Sequence, residues 1–208
     1  MKKIELLQTV SIFWDLKPEE LGYIAEKMIA RHYENGNYIF LEDSDGEQCF
    51  FVLEGSVKVT RLSKDGREVI LAMLNKGEFF GEIGLIAGRR RSATIFASQQ
   101  SILIESPRRT MIKLINSVDS VQKTMNEVAL VRQLRTYLSP NLTNEALAPV
   151  LETAEIKNYK PGQILFTEGD DEDGVYLIRK GSVTVSRKIG GREIVIAYVP
   201  AGHYVGEM

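Results

Sequence analysis

The sequence predicts an α+β fold that is mainly β: an antiparallel β-roll or jelly-roll with flanking helices, duplicated along the chain. Short runs of β-branched and aromatic residues alternate with turns that contain glycine, which is typical of an antiparallel roll or barrel. Helical periodicity is confined to segments before and after these runs. The whole pattern then begins again in the second half of the 208 residues. Self-similarity over such a long period indicates duplicated units.

The first copy is predicted to open with a helix at Pro18. Proline is favoured at the first helical position, and Glu19 and Glu20 suit the positive end of a helix dipole. Apolar residues then recur at helical spacing, which predicts a single buried stripe. The stripe consists of Leu21, Ile24, Ala25 and Met28.

Six short strands are predicted to follow this helix. Their residues are largely β-branched or aromatic, and glycines such as Gly55 and Gly66 provide the turns between them. The predicted strands cover residues 38–41, 50–53, 56–62, 68–74, 92–97 and 101–104.

A long helical segment over about residues 107–138 closes the first copy. Pro107 opens this segment, and Ser139-Pro140 ends it, because a proline disfavours helical geometry at the residue before it. The first unit is therefore predicted to span residues 1–138, with its last helix acting as a lid or hinge.

The second copy repeats the first at a nearly constant offset. Gly36 corresponds to Gly162, an offset of 126 residues, and Gly81 corresponds to Gly206, an offset of 125. The loss of one residue falls in a hairpin turn between these two matches.

Residues 139–208 are predicted to form only the N-terminal part of the second unit. They contain a helix over 143–151, which Thr143 can cap, and strands within 156–199. The match to the first copy stops at Glu207, which corresponds to Glu82. Glu82 lies inside the most informative motif of the first copy. We interpret the chain as a fragment rather than a unit completed by another chain, since such a cut leaves unpaired strand edges.

The composition places limits on the function. With 44% hydrophobic and 26% charged residues, the chain is typical of soluble globular proteins, and its net charge of −2 argues against general binding to nucleic acid. No signal peptide or membrane span is visible, and a single cysteine fits a reducing compartment. The predicted location is therefore cytoplasmic. Cys49 lies in an apolar run and is predicted to be a core residue.

No arrangement of residues indicates an enzyme or a metal site. The two histidines, His32 and His203, have no cysteine or carboxylate at metal-ligand spacing, and both are predicted to lie on the surface. A Gly-Lys-Ser/Thr phosphate loop and a nucleophile elbow are also missing from the sequence. We therefore expect neither catalysis nor a bound metal or cofactor.

The most informative segment runs from Phe80 to Ile86, and Arg91 follows nine residues after Glu82. This pattern predicts a short helix that begins after Gly81, with a loop that returns an arginine to the same place. Unsatisfied N–H groups at a helix start suit a phosphate, and an arginine can hold two phosphate oxygens. A carboxylate beside a phosphate is explained if the ligand also carries hydroxyls, such as those of a ribose. Phosphate and sugar together indicate a nucleotide.

This segment resembles the phosphate-binding cassette of cyclic nucleotide-binding domains, in which Phe-Gly-Glu precedes apolar residues and then Arg, small residues and Ala-Thr. The residues before it, 65–71 and 75–80, resemble the strands and turn of bacterial Crp/Fnr-type regulators. The similarity covers roughly residues 4–138. One departure is Arg90, which stands where eukaryotic members usually carry proline.

The resemblance implies roles for individual residues. Glu82 should accept a hydrogen bond from the ribose 2′-hydroxyl, and Arg91 should pair with the exocyclic oxygens of the cyclic phosphate. Gly81 should allow close approach of the ligand. The phosphate cradle should be completed by Ile83, Gly84, Ser92 and Ala93. From the spacing alone, a ligand-free salt bridge between Glu82 and Arg91 is an equal alternative.

The resemblance also implies that the helix over 107–138 closes over the base and, in related bacterial regulators, forms a dimer contact. Its candidates for base contact are Arg132 and Arg135. An apolar helical face, however, more often belongs to a core or a dimer than to a base site. Ser92 does not decide between adenine and guanine, and the likeness to bacterial regulators favours cyclic AMP over cyclic GMP.

The sequence therefore predicts a regulatory module that senses a cyclic nucleotide and transmits binding through the hinge helix to a second or an absent effector domain. Two alternatives remain: a fragment of a Crp/Fnr-like transcription regulator that responds to another effector, and a non-binding domain used for protein docking or dimerisation. Phosphorylation of Ser92 after the arginines at 89–91 conflicts with its place inside the cassette.

Overall fold

The computed structural model of the chain describes residues 3–63, 65–88, 90–170 and 174–206. Arg89 and Glu207 lie outside the described residues. The chain divides into two compact units, Met1–Asn141 and Leu142–Met208.

Helices flank the strands in both units. The α-helices of the described residues are α1 (Lys3–Leu7), α2 (Pro18–Lys27), α3 (Glu82–Ala87), α4 (Arg108–Ser117), α5 (Asp119–Tyr137) and α6 (Asn144–Thr153). A short 3-10 helix, Ser11–Phe13, lies between α1 and α2.

Strands make up most of the remaining regular structure. In the first unit they are β1 (Ile29–Tyr33), β2 (Tyr38–Phe40), β3 (Gln48–Glu54), β4 (Ser56–Leu62), β5 (Glu68–Asn75), β6 (Phe79–Phe80), β7 (Thr94–Ala97) and β8 (Ser101–Pro107). In the second unit they are β9 (Tyr176–Leu177), β10 (Ser182–Ile189), β11 (Arg192–Pro200) and β12 (Tyr204–Val205).

The first unit contains two four-stranded antiparallel sheets, with strand orders β1-β8-β3-β6 and β2-β7-β4-β5. On β3, Cys49 and Phe51 pack with the helices, whereas Phe50 and Val52 pack with residues of the second sheet. This alternation follows from the two-residue period of a strand. A strand buried on both faces needs an unbroken apolar run, which residues 49–53 provide. The predicted mainly β roll with flanking helices is confirmed.

Helices cover the outer face of the first sheet. The stripe predicted for the opening helix is buried as expected, with Leu21, Ile24 and Met28 between 1% and 2% exposed. Met111 of α4 and Met125 of α5 join them in the same cluster, and both are 0% exposed. The closing helices therefore use their apolar residues to build the core of the first unit.

The second unit repeats two strand pairings of the first, β4-β5 and β3-β6. Its two sheets are the pairs β10-β11 and β9-β12. The predicted cap of α6 is present, since the Thr143 side chain accepts a hydrogen bond from the Ala146 N–H at 3.2 Å.

Three sequence expectations need correction. The segment over 107–138 is two helices rather than one, because Val118 has extended backbone angles of φ −133° and ψ 108°. Strand β1 was not predicted; it exists because residues 29–33 pair along their whole length with β8. In the second copy, residues 156–170 form no strand within the described chain.

Candidate functional site

The predicted cassette is a tight turn into a short helix. Gly81 precedes α3 with a left-handed backbone, φ 87° and ψ 0°. A Cβ atom at this position would lie 2.7 Å from Nη1 of Arg91 and 2.8 Å from the carbonyl oxygen of Gln48. Both the backbone angles and the lack of space therefore require glycine here. Gly88, with φ 118°, ends the helix.

The loop that carries Arg91 is held through its backbone. The Asp43 N–H donates to the Arg91 carbonyl at 2.9 Å, and the Arg91 N–H donates to the Ser44 carbonyl at 2.9 Å. The side-chain hydroxyl of Thr94 accepts a further bond from the Glu42 N–H at 2.9 Å. These bonds fix the direction from which the arginine side chain enters the cassette.

The Arg91 guanidinium lies on a layer of phenylalanine rings. Its central carbon is 4.0 Å from the ring centroid of Phe40 and 5.7 Å from that of Phe50. Phe50 in turn stacks on Phe80 at 5.0 Å with nearly parallel planes. Contact with an aromatic face stabilises a cation and holds the plane of the guanidinium in one orientation.

Arg91 is buried, with few hydrogen bonds of its own. It is 3% exposed; Nη1 donates a long bond of 3.4 Å to the Gly81 carbonyl, and Nε has no hydrogen-bond partner. Burial lowers the pKa of the Arg91 guanidinium, although an arginine stays protonated in proteins. The salt bridges found among the described residues do not include Arg91, although the charges of Glu82 and Glu47 raise its pKa against the effect of burial. A buried cation without a directly paired anion is unfavourable, and an anion placed there would relieve this cost.

Glu82 pairs with the closing helix. It is 1% exposed, and its Oε1 lies 2.9 Å from Nη1 of Arg132 on α5. The same Nη1 donates to the Phe79 carbonyl at 2.7 Å. The described contacts therefore do not contain the Glu82–Arg91 salt bridge that the spacing allowed, and Arg132 instead connects the first residue of α3 to α5.

The other predicted residues surround the same point. Ile83 and Gly84 are in the first turn of α3, Ser92 is half-buried and Ala93 is 6% exposed after the arginine. Arg135, the second candidate for base contact, is half-buried on α5.

A scan for related sequences agrees with this geometry. Residues 30–118 and 156–208 match the model of the cyclic nucleotide-binding domain, which is more than half of the chain. The chain belongs to the cyclic nucleotide-binding domain family. The matched residues of this family include the whole cassette of the first unit and much of the second unit.

Relatives within the family include regulators of protein kinases. The chain is 24% identical over 210 residues to the cAMP-dependent protein kinase type II regulatory subunit of Drosophila melanogaster, covering 99% of this chain and 52% of that protein. It is 33% identical over 135 residues to the cGMP-dependent protein kinase egl-4 of Caenorhabditis briggsae, covering 63% of this chain and 18% of that protein. The chain thus spans at most about half the length of these two relatives.

Solved structures of the family share the fold. The regulatory domain of Toxoplasma gondii PKA, crystallised with cAMP, covers 99% of this chain and 78% of its own at 21% identity, with a TM-score of 0.55. The catabolite activator protein of Thermus thermophilus is 31% identical over 60% of this chain and 58% of its own, with a TM-score of 0.52.

Two features of the site were not predicted from the sequence. Phe40 was predicted only as part of a strand, although its ring packs against the guanidinium of Arg91. Arg108 was overlooked, although its guanidinium donates to the Gly84 and Leu85 carbonyls of α3 at 3.0 and 2.9 Å. A cation in the first turn of a helix opposes the helix dipole, and this anomaly was the available signal for Arg108.

The predicted cysteine and histidines lie as expected. Cys49 is fully buried, and its thiol donates to the Phe80 carbonyl at 3.1 Å. Burial raises the pKa of this thiol, which keeps it neutral and unreactive. His32 and His203 are exposed.

The described residues contain neither a candidate membrane span nor a candidate metal site. None of their helices is long and apolar enough to cross a membrane. No group of three or more histidine, cysteine or carboxylate side chains among them could hold a metal ion.

Proposed function

We propose that the first predicted domain, residues 1–138, is a sensor that binds a cyclic nucleotide, with cyclic AMP as the favoured ligand. The observation that carries this proposal is the state of Arg91. Its guanidinium is buried against Phe40, has an unpartnered Nε and lies beside the glycine that opens α3. A cyclic phosphate has one negative charge and two exocyclic oxygens. The guanidinium of an arginine can donate a hydrogen bond to each of these oxygens, so a cyclic phosphate is a well-matched ligand.

The second polar group of the site suits a ribose. Glu82 is buried at the start of α3 and already accepts a bond from Arg132. An ionised carboxylate can accept several hydrogen bonds, so Glu82 can hold Arg132 and a ribose 2′-hydroxyl together. The first-turn backbone of Ile83 and Gly84, with Ser92 and Ala93, would complete the cradle around the phosphate.

The preference for cyclic AMP is the finer part of the proposal. Relatives are named for dependence on cAMP or on cGMP, and both kinds of name occur among the matches. Arg132 and Arg135 remain candidates for contact with the base. To contact the base, Arg132 would have to donate hydrogen bonds to the ligand and to Glu82 at the same time.

Binding would be transmitted through α4 and α5, the two helices of residues 107–138. Arg132 is part of α5 and touches the carboxylate that receives the ribose. A ligand that bonds to Glu82 therefore favours some positions of α5 over others and shifts their populations. Residues 139–208, as the N-terminal part of a second domain of this kind, would be one receiver of the change, and an effector domain in a longer protein another.

Isothermal titration with cyclic AMP and cyclic GMP tests the binding site. Arg91→Ala should weaken binding by about 2–5 kcal/mol, or roughly 30- to several-thousand-fold, because it leaves a phosphate without its counter-ion. Arg90→Ala is the matched control, since Arg90 is the neighbouring arginine but its side chain is 71% exposed. Equal affinity of wild type and Arg91→Ala would remove this site assignment.

Hydrogen exchange tests the transmission. Saturating cyclic AMP should change the exchange of amides in residues 107–138 and in the second unit. If the ligand binds but exchange in both segments is unchanged, the transmission is refuted while the binding site stands.

The alternative is a fragment of a Crp/Fnr-like regulator, which the likeness to the Thermus thermophilus activator favours. The renewed family match at residues 156–208 favours tandem domains instead. Absence of nucleotide binding by a well-folded chain would support a docking or dimerisation domain.

A homodimer through residues 107–138 remains a prediction of the sequence. Val121, Met125 and Ala129 of this segment are 0% exposed within the unit, so a dimer would have to use the other face of α5. Sedimentation equilibrium decides its oligomeric state. A cytoplasmic location and a regulatory rather than catalytic role likewise stay predictions.

A further inference from the structure

The first turn of α4 breaks a common rule of helix composition. Arg108 and Arg109 occupy its first two positions, and no acidic residue is present in that turn. The preceding residue, Pro107, makes no side-chain cap. Cations at a helix N-terminus are destabilising because they face the positive end of the dipole. An unfavourable placement of this kind indicates that the residue makes a stabilising contact elsewhere in the fold.

Arg108 makes its stabilising contact with carbonyl groups of α3. Its Nη1 donates to the Gly84 carbonyl at 3.0 Å, and its Nη2 donates to the Leu85 carbonyl at 2.9 Å. These carbonyls are two of the last four of α3, which lack N–H partners within a regular helix and lie towards the negative end of its dipole. The Gly84 carbonyl also accepts the Gly88 N–H that ends α3. The guanidinium therefore supplies hydrogen-bond donors to backbone carbonyls of the cassette helix α3.

The backbone of Arg108 is held independently of its side chain. Its N–H donates to the Glu47 carbonyl at 2.7 Å, just before β3. Arg109, its neighbour in the same turn, is exposed. Both arginines thus lie in the first turn of α4 and carry the same charge. Among the hydrogen bonds of the described residues, only Arg108 of the two bonds to α3.

We propose that Arg108 is a positioning residue that ties the C-terminal end of α3 to the first turn of α4, so that the two helices open and move together. This inference rests on the proposed function in one respect: α3 carries the cassette, and α4 begins the segment that transmits binding. Movement of α3 on ligand binding would then displace α4 directly, at a point separate from the Arg132 contact with Glu82.

Native-state hydrogen exchange of the full chain without nucleotide tests the tie. Arg108→Met keeps the apolar stem and removes the donors, Arg109→Met is the matched control, and Arg108→Lys restores the charge with a single donor group. In wild type, amides 86–88 of α3 and 112–114 of α4 should exchange through a common opening. Arg108→Met should speed exchange at 86–88 by about 10- to 100-fold, as expected for the loss of charged hydrogen bonds.

The controls separate this role from general loosening of the fold. Exchange at 112–114 should stay the same or slow in Arg108→Met, since a cation is removed from the α4 N-terminus. Arg109→Met should leave 86–88 unchanged, and Arg108→Lys should restore part of their protection. Unchanged exchange at 86–88 in Arg108→Met, or equal acceleration in Arg109→Met, overturns the proposal.

The same samples with cyclic AMP separate this inference from the proposed function. If wild type binds, Arg108→Met should still show ligand protection at 86–88 and should lose most of the ligand-induced change at 112–114. An undiminished change at 112–114 overturns the tie. If wild type does not bind, the proposed function fails, and the nucleotide-free exchange still decides whether Arg108 joins the two helices.

Discussion

The two units of this chain share their local geometry and differ in how much of their core they bury. The hairpin β4-β5 has a register shift between Val59 and Thr60, and the hairpin β10-β11 has one between Val185 and Ser186, which lie 126 residues further on. Gly81 and Gly206 have φ values of 87° and 89°. In each case the glycine faces a backbone carbonyl, of Gln48 in the first unit and of Gly174 in the second.

The difference lies in the strands whose partners are far away in the sequence. In the first unit, residues 29–33 form β1 because they pair with β8. The corresponding residues 155–159 of the second unit form no strand. Val57 is 0% exposed in the first unit, while its counterpart Val183 is half-buried. Hairpins and turns therefore form from local sequence, whereas edge strands and a closed core need distant partners.

The largest expected effect comes from separating the units after residue 141. Residues 1–141 should unfold cooperatively, because nearly all of the buried apolar residues belong to them. Residues 142–208 alone should show no cooperative transition, since small two-stranded sheets are marginal by themselves. In the described chain this unit buries only three hydrophobic residues, Leu147, Ile178 and Val205. Thermal melts followed by circular dichroism check this; a sharp transition of 142–208 would contradict it.

The next effect compares the two equivalent glycines. Gly81→Ala should destabilise the first unit by about 2–4 kcal/mol, through left-handed strain and a clash with Arg91 and Gln48. It should also abolish nucleotide binding. In Gly206→Ala the new Cβ would come too close to one atom, the Gly174 carbonyl oxygen at 2.9 Å, and the change should loosen the second unit without changing nucleotide affinity. Urea unfolding and titration measure both; equal affinity losses in the two variants would refute the assignment of binding to the first unit.

A smaller effect concerns the ion pair between Glu82 and Arg132. Arg132→Met should lower the unfolding free energy by about 2 kcal/mol, less than for a fully buried pair, because the Arg132 side chain is 22% exposed. Glu82→Gln combined with Arg132→Met should cost less than the sum of the single changes, since each change removes the same bond. A double-mutant cycle from urea unfolding measures this coupling. Additive costs would show that the pair does not couple α3 to α5.

The smallest effect is a pH dependence of the first unit. Burial, together with Glu105 at 3.1 Å from the hydroxyl, raises the pKa of Tyr33 to about 12. The folded protein then keeps this proton to higher pH than the unfolded chain, in which tyrosine titrates at about 10. The stability that Tyr33 contributes is therefore full below the unfolded pKa and is lost as pH rises through the folded one.

Tyr33→Phe should accordingly reduce the fall in stability at alkaline pH. Tyr159→Phe is the matched control, because Tyr159 is the corresponding residue of the second unit and lies outside any strand. Urea unfolding from pH 9 to 12 follows both variants. An equal alkaline loss in wild type and Tyr33→Phe would rule out this contribution.

Prediction from the sequence was most successful where neighbouring residues decide the structure. Strand β4 has the predicted bounds, Ser56–Leu62, because alternation and flanking glycines define it locally. The cap at Thr143 and the stripe of α2 depend only on short spacings. The break at Val118 was missed, although Asn116, Ser117, Asp119 and Ser120 around it are weak helix formers that favour caps and turns.

For the candidate site, the sequence indicated the residues but not their partners. Glu82 and Arg91 were identified from their spacing and from the family resemblance. The contact of Glu82 with Arg132 joins residues 50 positions apart, and the contact of Arg91 with Phe40 joins the loop before β7 to strand β2. No local pattern specifies such contacts.

The sequence by itself determined the mainly β roll, its repeat and the location of the cassette, because period-two patterns, glycine turns and short motifs act over a few residues. Only the tertiary structure decided which carboxylate meets which cation and that Arg91 is left with an unpartnered Nε. It also decided that Arg108 reaches from α4 to the carbonyls of α3. These pairings depend on how distant segments pack, and burial then determines how strongly each charge needs a partner.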